Sequence, residues 1–364
     1  MKIAIVCDDL IQRGGQENVV EAVSELWPEA DVFTPVATEF WVNRFKKRGV
    51  KVITSFMQVL PFKVKLNRFY SVFLFHILGI ESFKLEDYEL VFSISSRYAH
   101  HAITRADQIH ICYMNSPGRM FWEPDSYFSP RLKRFLSYFL SYFRMADYTA
   151  ARRVDFLIAN SRNAQRRIKK YLNRESTIIY PFVDMNNFKE TANNSSAASD
   201  YYLVITRLVA WKKVDLAIEA CKRLNLKLKI IGVGTDMERL KSIANENIEF
   251  LGYADDIKVD TVRKCKALIN TQLEDFGIVP LEAMAMGKAV IAYGKGGVTE
   301  TIIEGKTGVF FEEQTVESLC ETLKNFDLGK FSEEDCISRA KEFSKDVFNG
   351  KIKKLVNDLT SKNI

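Results

Sequence analysis

The chain lacks a Cys-x-x-Cys pair. Its six cysteines (Cys7, Cys112, Cys221, Cys265, Cys320, Cys336) stand far apart, which excludes a zinc knuckle and a redox dithiol. Most sit inside apolar runs, as reduced core thiols do. It also lacks a long hydrophobic run: the stretch Phe69 to Ile80 is interrupted by His76 and falls short of the roughly 20 residues a membrane-spanning helix needs. The opening run Met1 to Cys7 is too short for a secretory leader and is cut off by Asp8 and Asp9, which predicts a cytoplasmic chain. No short-period repeat is present. A composition of 47% hydrophobic and 27% charged residues over 364 positions excludes disordered, collagenous and disulfide-scaffold classes and suits about two globular domains.

Charge is unevenly placed. Residues 1–180 carry 26 Lys and Arg against 18 Asp and Glu, an excess of +8, whereas residues 181–364 carry 26 against 28. The basic half suits an anionic surface or substrate: nucleic acid, an acidic membrane face or a phosphorylated lipid.

Short β-rich runs alternate with helical patterns, the mark of parallel sheets built from βαβ units. Strands are predicted at 2–7, 31–33, 50–53, 90–94, 109–113, 156–159 and 177–179, then at 201–205, 227–231, 248–251, 267–270, 289–292 and 309–311. The small, polar, aperiodic run from Thr191 to Asp200 marks a hinge. The expected organisation is an α/β chain of two doubly wound Rossmann-like domains, 1–182 and 201–364, joined by a linker at 183–200. The helical patterns from Ser332 onward cap the second domain, and the last can cross back to the first. In such a pair, the expected ligand site is the interdomain cleft at the carboxyl ends of the strands.

The run Glu274-Asp-Phe-Gly-Ile-Val-Pro-Leu-Glu282 follows a predicted strand. Gly277 permits close backbone approach, and Pro280 suits the first position of a helix whose free amides make an anion seat. Glu282 in the first turn and Glu274 in the loop can accept hydrogen bonds from sugar hydroxyls. Phosphate-binding amides beside hydroxyl acceptors suit a sugar nucleotide; Glu282 can equally serve the helix dipole, and Glu274 can be a solvated loop charge.

This run continues into Gly287-Lys-Ala-Val-Ile-Ala-Tyr-Gly-Lys-Gly-Gly297-Val-Thr-Glu300 and Gly305-Lys-Thr-Gly308. The order Glu-x7-Glu, Gly-Gly-x-x-Glu, Gly-x-x-Gly resembles the C-terminal domain of retaining GT-B glycosyltransferases of family 4, in particular the mannosyltransferase-like subgroup of bacterial polysaccharide and O-antigen assembly. The resemblance implies the GT-B fold and a site assignment. Arg207 and Lys212, in Thr206-Arg-Leu-Val-Ala-Trp-Lys-Lys-Val-Asp215, would neutralise the donor diphosphate with the amides of Phe276, Gly277, Ile278 and Val279, so no divalent metal or cofactor is expected. Glu282 would hold the ribose and Glu274 the donor sugar. Gly14 and Gly15 resemble the glycine-rich loop near the donor phosphates, and Gly232-Val-Gly234 and Gly252-Tyr253 the turns around the base; both also read as plain turns.

The subgroup usually has a His, a Pro, an Arg and a Trp after the strand at 109–113. Here Met114-Asn-Ser-Pro-Gly-Arg-Met-Phe-Trp122 keeps Pro117, Arg119 and Trp122 but has Asn115 for the His. Asn can hydrogen-bond a sugar but cannot carry a proton. A front-face reaction, in which the leaving phosphate takes the acceptor's proton, tolerates that exchange. Asn115 and Arg119 are expected near the acceptor. Asp8 and Asp9 can touch it or cap the next turn, and His100 and His101 read as surface residues that can alternatively reach the cleft.

Phe62 to Phe75 and Arg131 to Arg144 contain no acid, and Leu132, Phe135, Leu136, Phe139 and Phe143 share one helical face. Such a basic amphipathic helix can lie on an anionic membrane or pack on its own domain. The expected protein is a retaining hexosyltransferase, peripheral on the inner membrane face, that moves a sugar from a nucleotide-sugar, GDP-mannose among the candidates, to a lipid-linked saccharide, without nucleic acid as partner. The alternatives are a non-catalytic sugar-nucleotide-binding subunit and a sugar-nucleotide epimerase on the same fold.

Overall fold

Strands covered by helices on both faces read as continuous apolar runs rather than alternating ones. The computed structural model describes residues 1–188, 200–253 and 255–361. Each predicted run forms a strand within two residues of its expected bounds. Val290–Tyr293, for example, is buried at every position. The chain divides into two units, residues 1–180 with 348–364, and residues 181–347. The part of the expected linker at 189–199 lies outside the described residues.

In the first unit the strands are β1 (Ile3–Cys7), β2 (Asp31–Thr34), β3 (Val52–Thr54), β4 (Leu90–Ser95), β5 (Ile109–Met114), β6 (Phe156–Ala159) and β7 (Thr177–Ile178), in the order β3-β2-β1-β4-β5-β6-β7. All their pairings are parallel. The core on one face joins Val6, Phe33, Val91, Tyr98, Phe121 and Phe143. The helix Lys345–Thr360 runs from the second unit into this one, where Phe348 meets the Tyr113 ring edge-on at 5.8 Å between centroids.

The second unit holds β8 (Tyr201–Ile205), β9 (Lys227–Ile231), β10 (Ile248–Gly252), β11 (Leu268–Asn270), β12 (Val290–Tyr293) and β13 (Gly308–Phe311). Their order is β10-β9-β8-β11-β12-β13, again parallel. Its core gathers Tyr202, Val204, Ile230, Ile269, Ile291 and Leu319. Both sheets are doubly wound, with the order reversing beside β1 and beside β8.

The stretch expected as one amphipathic helix is two, Pro130–Phe135 and Ser137–Arg153, broken at Leu136. Phe143 is buried, while Leu132, Phe135 (78% exposed), Tyr138 (80%) and Phe139 face solvent. The expected stripe is therefore divided: its C-terminal end packs on the core, and its N-terminal part stays uncovered within this unit. No helix among the described residues is long and apolar enough to cross a membrane.

Candidate active site

Where strand order reverses in a doubly wound sheet, the loops leaving the carboxyl ends part and leave a crevice. In the second unit this point lies between β8 and β11. The turn after β9 presses onto the chain leaving β8: a Cβ at Gly232 (φ +148°) would stand 1.8 Å from the Thr206 carbonyl oxygen, and one at Gly234 would stand 2.1 Å from that of Leu208. Only glycine permits so close an approach. The amides of Thr206 and Leu208 donate to Ile231 and Val233 (3.1 and 3.0 Å), and that of Gly232 to Gly252 (2.8 Å). The two turns expected around the base thus adjoin each other and the β8 end. Tyr253, just beyond, is exposed.

Across the crevice, the chain leaving β11 carries Gln272 and Glu274. Lys212 Nζ donates to Glu274 Oε1 (2.8 Å), and the Gln272 amide donates to the same oxygen (2.5 Å). Gln272 Oε1 in turn accepts the Thr206 hydroxyl (3.0 Å), and the Thr271 hydroxyl donates to the Lys212 carbonyl (3.0 Å). Lys212 is buried, with its ammonium 4.3 Å from the Trp211 ring centre. A desolvated ammonium beside a carboxylate is a fixed charge rather than a screened surface one. Arg207, by contrast, is exposed.

Gly277 is left-handed (φ +96°) and heads the helix Ile278–Ala285, bringing no side chain of its own to cap it. This corrects the expected helix start: Pro280 is the third residue and Glu282 the fifth, so Glu282 lies beyond the first turn and does not serve the dipole. The helix begins earlier because the left-handed glycine, not the proline, sets its entry. Glu282 pairs instead with Lys258 Nζ at 2.6 Å. The glycine pair at 296 and 297 lets a second loop lie against this one: the Gly297 amide donates to the Glu274 carbonyl (2.8 Å), and a Cβ at Gly297 would stand 2.2 Å from the Phe276 Cα.

In the first unit the reversal lies between β1 and β4. Asp8 does not cap the turn that follows it. Its Oδ2 accepts the amides of Ser96 and Arg97 (2.7 and 2.9 Å), and its Oδ1 those of Tyr98 and Ala99 (both 2.9 Å). It therefore caps the turn after the neighbouring strand. Asp9 Oδ2 accepts from His76 Nε2 (2.8 Å), Asn67 Nδ2 (3.0 Å) and Arg97 Nη2 (3.4 Å), while its buried Oδ1 has no partner. Burial would raise the Asp9 pKa, but the His76 bond and the charges of His76 and Arg97 outweigh it and hold the carboxyl below its ordinary value. At the end of β5, Asn115 Nδ2 donates to Ser96 Oγ (3.2 Å) and Asn115 Oδ1 accepts from Asn160 Nδ2 (3.5 Å). Asp9, Arg97, Asn115 and Asn160 thus form a polar rim along successive strand ends.

Arg119 pairs with a neighbouring glutamate. Its Nε stands 3.4 Å from Glu123 Oε2, a carboxylate that also takes Arg167 (2.9 Å) and the Tyr171 hydroxyl (3.2 Å). Gly14 is the extended residue before the helix Gly15–Leu26, with an ordinary negative φ at Gly14. His100 and His101 are fully buried, which corrects the surface reading: the short turn Ala99–His101 packs on the helix Ser137–Arg153, against Asp147.

Sequence reasoning missed Gln272, Lys258, Asn67, His76 and Arg97. Gln272 was within reach, since two residues from Glu274 along an extended segment is the same side. Asn67 and His76 carry no local signal, being 58 and 67 positions from Asp9 inside a stretch read for its basic and apolar character.

Residues 189–343 match the family described as glycosyl transferases group 1. An uncharacterized glycosyltransferase of Methanocaldococcus jannaschii is 30% identical over 201 residues, 52% of this chain and 55% of that protein. The alpha-1,3/1,6-mannosyltransferase ALG2 of Saccharomyces cerevisiae is 25% identical over an alignment of 372 residues, covering 82% of this chain and 71% of that one. A second uncharacterized glycosyltransferase of the same Methanocaldococcus organism is 27% identical over 243 residues, and the alignments span only 55% and 60% of the length of these two relatives. Among solved structures, Anabaena HepE in complex with UDP superposes with a TM-score of 0.77 at 18% identity, covering 98% of this chain and all of that one. Sucrose-phosphate synthase from Thermosynechococcus elongatus superposes at 0.76 with 15% identity over the whole of both chains. The fold is the GT-B fold of two Rossmann-like units.

Proposed function

We propose that the chain is a retaining glycosyltransferase that takes a hexose from a nucleotide-sugar and attaches it to a lipid-linked saccharide. The observation that carries this reading is the Lys212–Glu274 pair, with Glu274 three residues before the left-handed glycine that heads a helix. It joins a buried cation, backbone amides and a carboxylate in one crevice, the combination that a diphosphate with a sugar attached requires. Lys212, Arg207 and the amides of Gly277 to Val279 bind the diphosphate; Glu282 accepts the ribose hydroxyls; Glu274 accepts from the sugar and fixes its orientation. The Lys212 charge stabilises the departing nucleotide without a divalent metal.

In the reaction the bond from the sugar's anomeric carbon to the phosphate oxygen breaks and a bond to the acceptor oxygen forms on the same face. The acceptor's proton passes to the leaving phosphate. Asn115 therefore orients a hydroxyl rather than moving a proton. The first unit binds the acceptor along the rim of Asp9, Arg97 and Asn115. Its uncovered aromatics Phe62, Phe135 and Tyr138, interspersed with Lys63, Lys133 and Arg134, suit an anionic leaflet that holds a lipid-linked substrate. The mannosyltransferase relatives make GDP-mannose the first donor to test.

Thermal unfolding with GDP-, UDP- and ADP-sugars tests the reading, because a ligand of the folded state raises the melting temperature. One nucleotide class should raise it, and that donor should then yield a glycosylated lipid in vesicles. Absence of any shift across the three classes would remove the proposal.

A further inference from the structure

A cluster in the first unit that the proposed reaction does not use combines His100, His101 and Asp147. All three are buried, and one ligand atom from each lies within 4.8 Å of the others. His100 Nε2 stands 3.0 Å from Asp147 Oδ1, yet neither atom makes a hydrogen bond. A buried carboxylate oxygen and a buried imidazole nitrogen thus face each other without a hydrogen bond from the protein to either. Two ligands of one tetrahedral zinc ion stand about 3.3 Å apart, close to the separation of this pair.

The surrounding groups are those that orient metal ligands. The other nitrogen of His100, Nδ1, is 2.9 Å from the Ser95 hydroxyl. The other oxygen of Asp147, Oδ2, accepts the Trp122 indole N–H at 2.6 Å. A ligating imidazole normally has its second nitrogen held in this way, and a ligating carboxylate its second oxygen. Arg153 of the same helix is directed elsewhere, to the His101 carbonyl (3.1 Å) and to Glu81 (3.2 Å).

We infer that His100, His101 and Asp147 form a structural site for a divalent transition ion, zinc foremost. Two imidazoles and one carboxylate suit zinc, whereas magnesium and calcium prefer oxygen ligands. The ion ties the turn Ala99–His101 to the helix Ser137–Arg153 beneath Trp122, and so fixes the loop that carries Asn115 and Arg119. None of the three ligands is among the residues assigned to donor or acceptor.

The test uses the full chain purified without metal-affinity steps. Elemental analysis should find about one zinc per chain, and His101→Gln, which leaves the His100–Asp147 pair intact, should cut retention at least tenfold. Cobalt exchanged into the wild type should give the visible absorption of a four-coordinate site. Should His101→Gln fail to fold, chelator-stripped wild type carries the test: added zinc should raise its melting temperature and magnesium should not. A wild type that holds no transition metal and gains no stability from zinc overturns the inference, as does a His101→Gln protein that retains zinc equally. One equivalent of iron instead of zinc sustains the site and corrects the ion.

Discussion

The two units share the strand order of six positions, to which the first adds a seventh strand, and differ in what occupies the point where it reverses. In the first unit four backbone amides after β4 converge on Asp8. They would make a good anion seat, but the chain's own carboxylate already fills it. In the second unit the helix after β11 starts at a left-handed glycine, and a buried lysine stands in the same crevice. A tethered carboxylate fills the first amide set, whereas the second begins at a glycine that brings no side chain of its own to it. The same topology therefore holds its own carboxylate at the reversal in one unit and a buried lysine–glutamate pair in the other.

Glu274→Ala should have the largest effect. It removes the carboxylate on which Lys212 and Gln272 converge, and turnover should fall about a thousandfold, ~4 kcal/mol in barrier, while donor affinity changes far less. Near wild-type turnover would refute its place at the sugar. Asp8→Ala tests the other side of the comparison. It leaves four amides without their anion, and urea unfolding should show a loss of roughly 3 kcal/mol, with Asp8→Asn recovering part of it. A loss under about 1 kcal/mol would mean that the turn needs no resident charge. Smaller again, Glu282→Ala should weaken nucleotide binding about tenfold, ~1.4 kcal/mol, by calorimetry; unchanged affinity would count against a ribose contact.

The strands and the pairing of Rossmann-like units were legible because a parallel sheet buried on both faces needs uninterrupted apolar runs, and runs such as Val290–Tyr293 state that locally. The second-unit site was partly legible for the same reason: Glu274, Gly277 and Glu282 sit on one continuous strand-to-helix connection. The helix start was misjudged because proline and left-handed glycine both mark helix entry, and Gly277 took precedence. In the first unit the sequence named Asp9 and Asn115 but not the groups around them. Asp9 finds its partners on a distant segment, and no periodicity encodes a contact of that kind. His100 and His101 looked like surface residues because the short turn bearing them has no pattern of its own; their burial follows from the helix packed over it.

The remaining prediction sharpens the comparison by pH. All four histidines, His76, His100, His101 and His110, lie in the first unit. Burial above all pushes His110 down to about 3. An unfolded chain takes up this proton near pH 6.5, whereas folded His110 resists until about 3. In that window the unfolded state binds more protons, so stability falls as pH drops, by on the order of 1 kcal/mol per pH unit for this histidine. The second unit has no histidine and is exempt from this cause. Hydrogen exchange at pH 7 and 5 should therefore show protection lost first in β4 and β5 and retained in β8 and β11, and His110→Gln should flatten the decline in denaturant stability. Parallel loss in both sheets, or an unchanged slope in the variant, would place the acid sensitivity in the carboxylates the two units share.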